Sequence, residues 1–229
     1  MASENQSIQD KVYYTLRKFI LNFTFIPGTI ISTQEAADQL RVSRTPVREA
    51  FIRLQRDGLI QILPQRETMV SLIDMVRVGQ ERFMRMNLEQ AAIRLFLQKA
   101  ESFHFQKLNI LIEKQLVASV DRRYEDLLEY DDEFHHVLFE GAGQTLAWEI
   151  LNQSNTHYHR VRLLSLNHDD ISGKIVMQHQ DLMRTLEAGQ MDQVLDLHNR
   201  HLTELDLEED QLKQKYPGYF LYEKDKVFL

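Results

Sequence analysis

Apolar positions along this 229-residue chain fall into two regimes that change near residue 72. Before that point, short amphipathic stretches alternate with turns; beyond it, long helical periods run with almost no strand signal. Val12, Leu16, Phe19, Ile20 and Phe23 recur at helical spacing and stop at Pro27-Gly28. Ser32-Thr33-Gln34-Glu35 has capping-box spacing, and Ala36, Ala37, Leu40 and Val42 give the helix behind it a small apolar face. A third helix opens within Val42-Ser43-Arg44-Thr45-Pro46-Val47-Arg48-Glu49-Ala50. Ser43 or Thr45 suits its cap, Pro46 its first turn, Leu54 its apolar seam and Gly58 its end. Residues 59–63 and 68–72 read as short strands, with Pro64-Gln65-Arg66-Glu67 turning between them to make a wing.

Downstream, amphipathic periods predict helices over about 75–99, 104–119, 122–140, 144–166, 171–188 and 191–213, with breaks at Gly141-Ala142-Gly143, residues 167–170 and Gly189-Gln190. The expected architecture is mainly α. A winged helix-turn-helix over 1–72 precedes an all-α bundle over 73–229, with the aromatic tail 214–229 packing on the bundle or on a partner subunit.

The net charge of −7 hides an asymmetry: residues 1–70 hold nine basic and seven acidic side chains, the remainder 18 and 27. A weakly positive head can meet phosphate, but tight binding then calls for two heads, hence a homodimer on double-stranded operator DNA. Arg44 and Arg48 lie four residues apart near a helix N-terminus, where phosphate is favoured. No cysteine, signal-peptide pattern or run of 18 apolar residues is present, so a cytoplasmic protein with no membrane partner is expected.

All nine histidines lie beyond residue 100. At about 100° per residue, Asp131 and His135 share the apolar arc of their helix, whereas Asp132 and His136 are expected to face solvent. His179 and His201 fall on the buried arcs of two later helices. A carboxylate and three imidazoles converging in a bundle suit a divalent metal such as zinc, nickel, manganese or iron. A metal-free structural Asp/His network is the alternative. A metal-dependent hydrolase is a third reading, but no motif supplies a general base: His-Glu-x-x-His and Gly-x-Ser-x-Gly are absent.

Pro27-Gly28, the Ser43–Ala50 string, Leu54 and Asp57-Gly58-Leu59-Ile60 together resemble the GntR family of bacterial transcription regulators. Asp131-Asp132-Glu133-Phe134-His135, His179 and His201 resemble the metal-binding pattern of the FCD ligand domain in its FadR subfamily. The resemblance implies a regulator rather than an enzyme. It implies DNA contacts from Ser43, Arg44, Thr45, Pro46, Arg48 and, at the wing tip, Arg66. It also implies a divalent metal, zinc first, held by Asp131, His135, His179 and His201, with His198 as a bystander or outer partner. The implied effector is a small carboxylate or sugar acid that meets Arg85 and Arg162. Gln34 stands where relatives often carry arginine, and Glu67 where the wing often carries glycine.

Overall fold

A computed structural model describes residues 7–62, 67–167, 171–203 and 209–222. The chain divides into two compact units: residues 1–75 with 215–229, and residues 76–214. The first contains α1 (Ile8–Leu21), α2 (Thr33–Leu40), α3 (Arg44–Arg56), β1 (Ile60–Ile62) and β2 (Thr68–Val70). Its core joins Val12, Leu16 and Ile20 of α1 to Val47, Ala50 and Leu54 of α3, with Ala36 and Ala37 of α2 filling the corner. Small residues in α2 let it lie close to α3, as a helix-turn-helix pair requires.

Local chemistry sets the ends of these helices. Ser32 and Glu35 form the reciprocal capping box of α2: the Glu35 N–H donates to Ser32 Oγ at 3.0 Å and the Ser32 N–H to Glu35 Oε2 at 2.9 Å. Ser43 occupies the cap position of α3 but makes no side-chain capping bond. Gly58, at φ +75°, closes α3 by letting the Leu59 N–H reach Leu54 C=O at 2.9 Å. The strands pair antiparallel, Ile60 opposite Val70, and Ile30 bridges Met69 on the other side. Arg66 lies outside the described residues.

The tail, grouped by sequence with the helical region, runs instead in the first unit. The Ile73 N–H donates to Tyr219 C=O at 2.7 Å and the Leu221 N–H to Ile73 C=O at 2.9 Å. Phe220 is buried and Tyr219 stacks on Phe23. Backbone pairing with residue 73 therefore decides where this segment packs.

The second unit comprises α4 (Met75–Lys99, entered at Val76), α5 (Ser102–Val120), α6 (Tyr124–Ala142), α7 (Thr145–Ser154), α8 (Thr156–Ser165), α9 (Ile171–Glu187) and α10 (Met191–Thr203). A short α11 (Glu209–Lys215) follows. Helix α6 is central: it packs on α5, α7 and α8, and its Leu127, Phe134 and Leu138 join Phe96, Leu182 and Val194 in one core. No helix among the described residues is long and apolar enough to cross a membrane.

The single helix expected over 144–166 is two helices. Glu81, reaching across from α4, accepts the N–H groups of His157 and Tyr158, each at 2.8 Å. A buried carboxylate 76 residues upstream thus caps α8, and the chain breaks at Asn155 to present those donors. No Gly or Pro marks this break, so local sequence does not announce it.

Gly141 marks the closest approach within this core. A Cβ there would stand 2.6 Å from the Phe96 ring and 3.3 Å from His104. Phe96 is fully buried and packed edge-on against Phe105, so it has nowhere to move. Gly141→Ala is expected to destabilise by about 1–3 kcal/mol through overpacking, measured as a lowered urea midpoint. An unchanged midpoint would show that the Phe96 ring yields freely.

Candidate functional site

Six helices of the second unit deliver polar side chains to one place. Asp131 and His135, four residues apart on α6, lie beside His179 of α9 and His201 of α10, and one ligand atom from each falls within 4.8 Å of every other. Glu89 and Arg85 come from α4, Arg162 and Tyr158 from α8. Because Glu81 fixes where α8 begins, it also sets the position of Arg162.

The imidazoles converge by their Nε2 atoms. His201 Nε2 lies 3.3 Å from both His135 Nε2 and His179 Nε2. Asp131 oxygens stand 3.6 Å from His179 Nε2 and 3.7 Å from His135 Nε2. Each opposite ring nitrogen faces an oxygen: His179 Nδ1 meets Gln115 Oε1 at 2.6 Å, His201 Nδ1 meets Gln178 Oε1 at 2.8 Å, and His135 Nδ1 meets Glu89 Oε2 at 2.9 Å. The Gln115 amide is oriented by its own NH2, which donates to Tyr130 C=O at 3.1 Å. Phe134 stacks flat on the His179 ring at 4.3 Å and holds its plane.

The glutamine contacts assign the proton of the His179 and His201 rings to Nδ1; His135 Nδ1 lies at ion-pair distance from Glu89 without hydrogen-bond geometry, and the three Nε2 atoms converge on one another. Burial, followed by the neighbouring His135, pushes His179 well below the ordinary imidazole range; burial and then His179 do the same to His201. Burial also lowers His135, outweighing the opposing pull of Glu89. Protonation therefore does not relieve the repulsion between these Nε2 atoms, whereas a cation does. Two nitrogens 3.3 Å apart match ligands about 2.0–2.1 Å from one ion at a near-tetrahedral angle. The buried His/Asp cluster fits a divalent metal.

Charges around the cluster are paired but not fully hydrogen-bonded. The Arg85 Nε donates to Glu89 Oε1 at 2.7 Å, while Arg85 Nη1 and Nη2 are buried without a hydrogen-bond partner. They stand 3.8 Å from Asp132 and 3.6 Å from Asp131. Burial opposes the charge on Glu89, but Arg85 and then His135 outweigh it and hold its carboxyl well below the usual range. The expectation that Asp132 and His136 face solvent fails because α8 and α7 cover that flank. Asp132 accepts Arg162 Nη1 at 2.6 Å and lies 3.5 Å from His159, and His136 stacks on Trp148. Burial opposes the Asp132 charge as well, yet Arg162, His159 and Arg85 together lower its pKa.

Arg162 also donates to Asp131, so one guanidinium spans both carboxylates. A cavity opens beside this pair, lined on its polar side by Asp131, Tyr158, Arg162, Lys174, Gln178 and His201. Its apolar side includes Leu127, Leu128, Ile175 and Leu202. Of the two expected effector arginines, Arg162 faces this cavity, whereas Arg85 does not line it and pairs with Asp131 and Asp132.

Sequence reasoning missed Glu89, Gln115, Gln178 and Asp132. Glu89 was legible in part, as the acid four residues after Arg85. His198, taken as a bystander or outer partner, donates its Nε2–H to Glu89 Oε2 at 2.6 Å. Glu89, His135 and His198 also form a second cluster of metal-ligating residue types. With Arg85 on one Glu89 oxygen and two imidazoles on the other, that carboxylate is already fully engaged.

On the first unit, Ser43, Arg44, Thr45 and Arg48 are exposed at the start of α3, while Pro46 is buried in the core side of the same turn. Arg44 Nε donates to Gln34 Oε1, and the Gln34 amide donates to Asp38 Oδ1 at 2.6 Å. The residue replacing the usual arginine of α2 thus steadies the arginine of α3.

Comparison with known proteins matches both units. Residues 8–70 match the gntR family of bacterial regulatory proteins, and residues 82–204 match the FCD domain. The HTH-type transcriptional repressor RspR of Escherichia coli (strain K12) is 32% identical over 215 residues, 94% of each chain. The solved structure of E. coli McbR/YncC superposes with a TM-score of 0.77 at 19% identity, over 93% of this chain and 100% of that one. A GntR regulator from Rhodococcus sp. RHA1 gives 0.73 at 22% identity, over 92% and 100%. At these identities the two structures establish the shared fold. The chain therefore belongs to the GntR family of bacterial helix-turn-helix transcription regulators, carries an FCD domain, and is related to regulators rather than to enzymes.

Proposed function

We propose that this protein is an operator-binding regulator whose helical unit senses a small carboxylate with the help of a divalent metal, zinc first, held by Asp131, His135, His179 and His201. The observation carrying this reading is the convergence of three Nε2 atoms at 3.3 Å beside Asp131. The ion would act there as a Lewis acid that draws in an oxygen ligand.

Formal charge supports the order of events. Glu89, Asp131 and Asp132 against Arg85 and Arg162, with neutral imidazoles, make the buried ion-pair cluster net negative by one, and Lys174 on the cavity wall brings the formal sum to zero. A divalent ion turns that sum positive, so an anionic effector is attracted once the ion is present. Arg162 is the arginine placed to meet it, exchanging Asp131 or Asp132 for the effector's carboxylate. The Leu and Ile side chains of the cavity favour an effector with a carbon skeleton over a bare inorganic anion.

The reading surface comprises Ser43, Arg44, Thr45 and Arg48, with Arg66 as a wing contact and Pro46 as a structural residue beneath them. Exposed Phe83, Met84 and Leu88 lie along α4 with Val76, an apolar stripe suited to a homodimer. Such a dimer would offer two heads to operator DNA in the cytoplasm. Arg44→Ala is expected to weaken operator binding by about 1–3 kcal/mol with an unchanged unfolding midpoint. Fluorescence anisotropy on a duplex selected by the wild-type protein from random DNA checks this, and an unchanged curve removes Arg44 from the surface.

The function as a whole is tested on that same duplex with metal-free protein, zinc-loaded protein, and zinc-loaded protein plus a panel of small carboxylates. At least one carboxylate should change operator affinity about 5- to 150-fold, and only with the ion present. Identical affinity in every state would remove the sensor and leave a metal-free regulator.

A further inference from the structure

Glu89 lies at the bottom of the site, fully buried, and neither composition nor family resemblance assigns it a role. Its two oxygens do different work. Oε1 accepts Arg85 Nε at 2.7 Å; Oε2 lies 2.9 Å from His135 Nδ1 and 2.6 Å from His198 Nε2. Arg162 already donates to Asp131, and Arg85 is a second cation beside it, with Nη2 3.6 Å from Asp131 Oδ2 and no hydrogen bond yet formed. Two of the four candidate ligands are therefore governed from one carboxylate: His135 directly and Asp131 through the arginine.

We propose that Glu89 is the positioning residue of the ion site, fixing the His135 ring and keeping Arg85 from capturing Asp131; this rests on the metal reading above. The chemistry has two parts. An ionised carboxylate accepts only, so at 2.9 Å it favours the His135 proton on Nδ1, one small ring rotation from a hydrogen bond, and leaves Nε2 for a cation. It also occupies the Nε edge of Arg85. Without that anchor, the unsatisfied Nη groups close the remaining distance to Asp131, because a buried guanidinium needs hydrogen-bonded counter-charge. Arg85 then joins Arg162 on Asp131, and the metal ion meets two guanidinium groups on one carboxylate.

Glu89→Gln separates these roles at constant volume. An amide cannot accept on both sides. If its NH2 faces Arg85, two donors confront each other; if it faces the histidines, His135 loses its acceptor. Zinc affinity, measured by competition with a chromophoric chelator, is expected to fall about 10–100-fold. The discriminating variant is Arg85→Met/Glu89→Gln, in which Arg85 can no longer add to Arg162 on Asp131. Its affinity should exceed that of Glu89→Gln alone, a positive coupling in the double-mutant cycle that a general loss of packing would not produce. The visible bands of the cobalt-loaded protein give a second readout, since a rotated His135 changes the ligand field.

Wild-type affinity in Glu89→Gln, or a double variant no tighter than the single one, overturns the proposal. His179→Ala run alongside distinguishes the two levels of failure. If His179→Ala loses the ion and Glu89→Gln keeps it, only the role of Glu89 is wrong. If the wild-type protein takes up no ion, the metal reading and the role of Glu89 fall together.

Discussion

His179→Ala is expected to abolish tight ion binding, with a larger loss than the 10–100-fold typical of an outer partner. His179 is fully buried, its ring is held flat by Phe134, and its Nδ1 is committed to Gln115. Its Nε2 therefore points at the cluster with little freedom to point elsewhere, so its contribution to an ion is pre-organised. Removal leaves two imidazoles and Asp131, and frees Gln115 Oε1 as a buried acceptor. Stability of the metal-free variant should fall moderately, through a cavity beneath Phe134. Chelator competition reads the ion affinity, and thermal unfolding with and without zinc reads the linkage. A variant that still gains as much thermal stability from zinc as the wild type would show that the ion binds elsewhere.

The second large effect is expected at Glu81, far in sequence from the residues it organises. Glu81 is buried, accepts two backbone N–H groups of α8, and pairs with Arg77 Nε at 2.9 Å. Burial raises its pKa despite those hydrogen bonds, so the carboxylate is itself held at a cost. Glu81→Ala strands both donors. At about 1–3 kcal/mol for each unsatisfied group, the loss should be about 2–6 kcal/mol in urea unfolding followed by circular dichroism. Because α8 also carries Tyr158 and Arg162, the same substitution should weaken anion binding at the cavity. A loss below about 0.5 kcal/mol, the range of ordinary surface changes, would show that α8 starts where it does for another reason.

The contrast between Glu35 and Glu81 explains how much was legible in the sequence. The Ser32–Glu35 capping box is local, its partners three positions apart, and its pattern is readable without a fold. Glu81 performs a related task across 76 residues, so periodicity merged α7 and α8 into one helix. The ligand set followed a similar division. Asp131 and His135 share an arc by helical spacing, and His179 and His201 sit on apolar faces, so the inward residues could be picked out. Asp132 and His136 were placed outward because periodicity around one helix cannot say whether a second helix covers its flank. Here α8 supplies Arg162 against Asp132, and α7 supplies Trp148 against His136. Gln115 and Gln178 carried no signal at all, since a lone buried glutamine has no spacing to betray it. The tail offers the same lesson in backbone form: its aromatic residues were evident, but its pairing with Ile73 depends on contacts some 147 residues apart in sequence.

The exposed start of α3 was the most legible part. Arg44 and Arg48 stand exposed four residues apart at the start of α3, as the spacing suggested. Pro46 differs because the first turn of α3 rotates it into the core beside Val47. A proline that shapes the turn is a different element from the side chains that project from it, and the linear string alone does not separate the two.

The central claim is that the buried histidines form a metal centre, and X-ray absorption at the zinc edge of the stoichiometrically loaded protein tests it most directly. The arrangement predicts a shell containing three imidazole nitrogens at about 2.0–2.1 Å with carboxylate oxygen, and the outer-ring scattering that imidazole produces. An oxygen-only shell without imidazole scattering, or a wild-type spectrum that His179→Ala leaves unaltered, would contradict it.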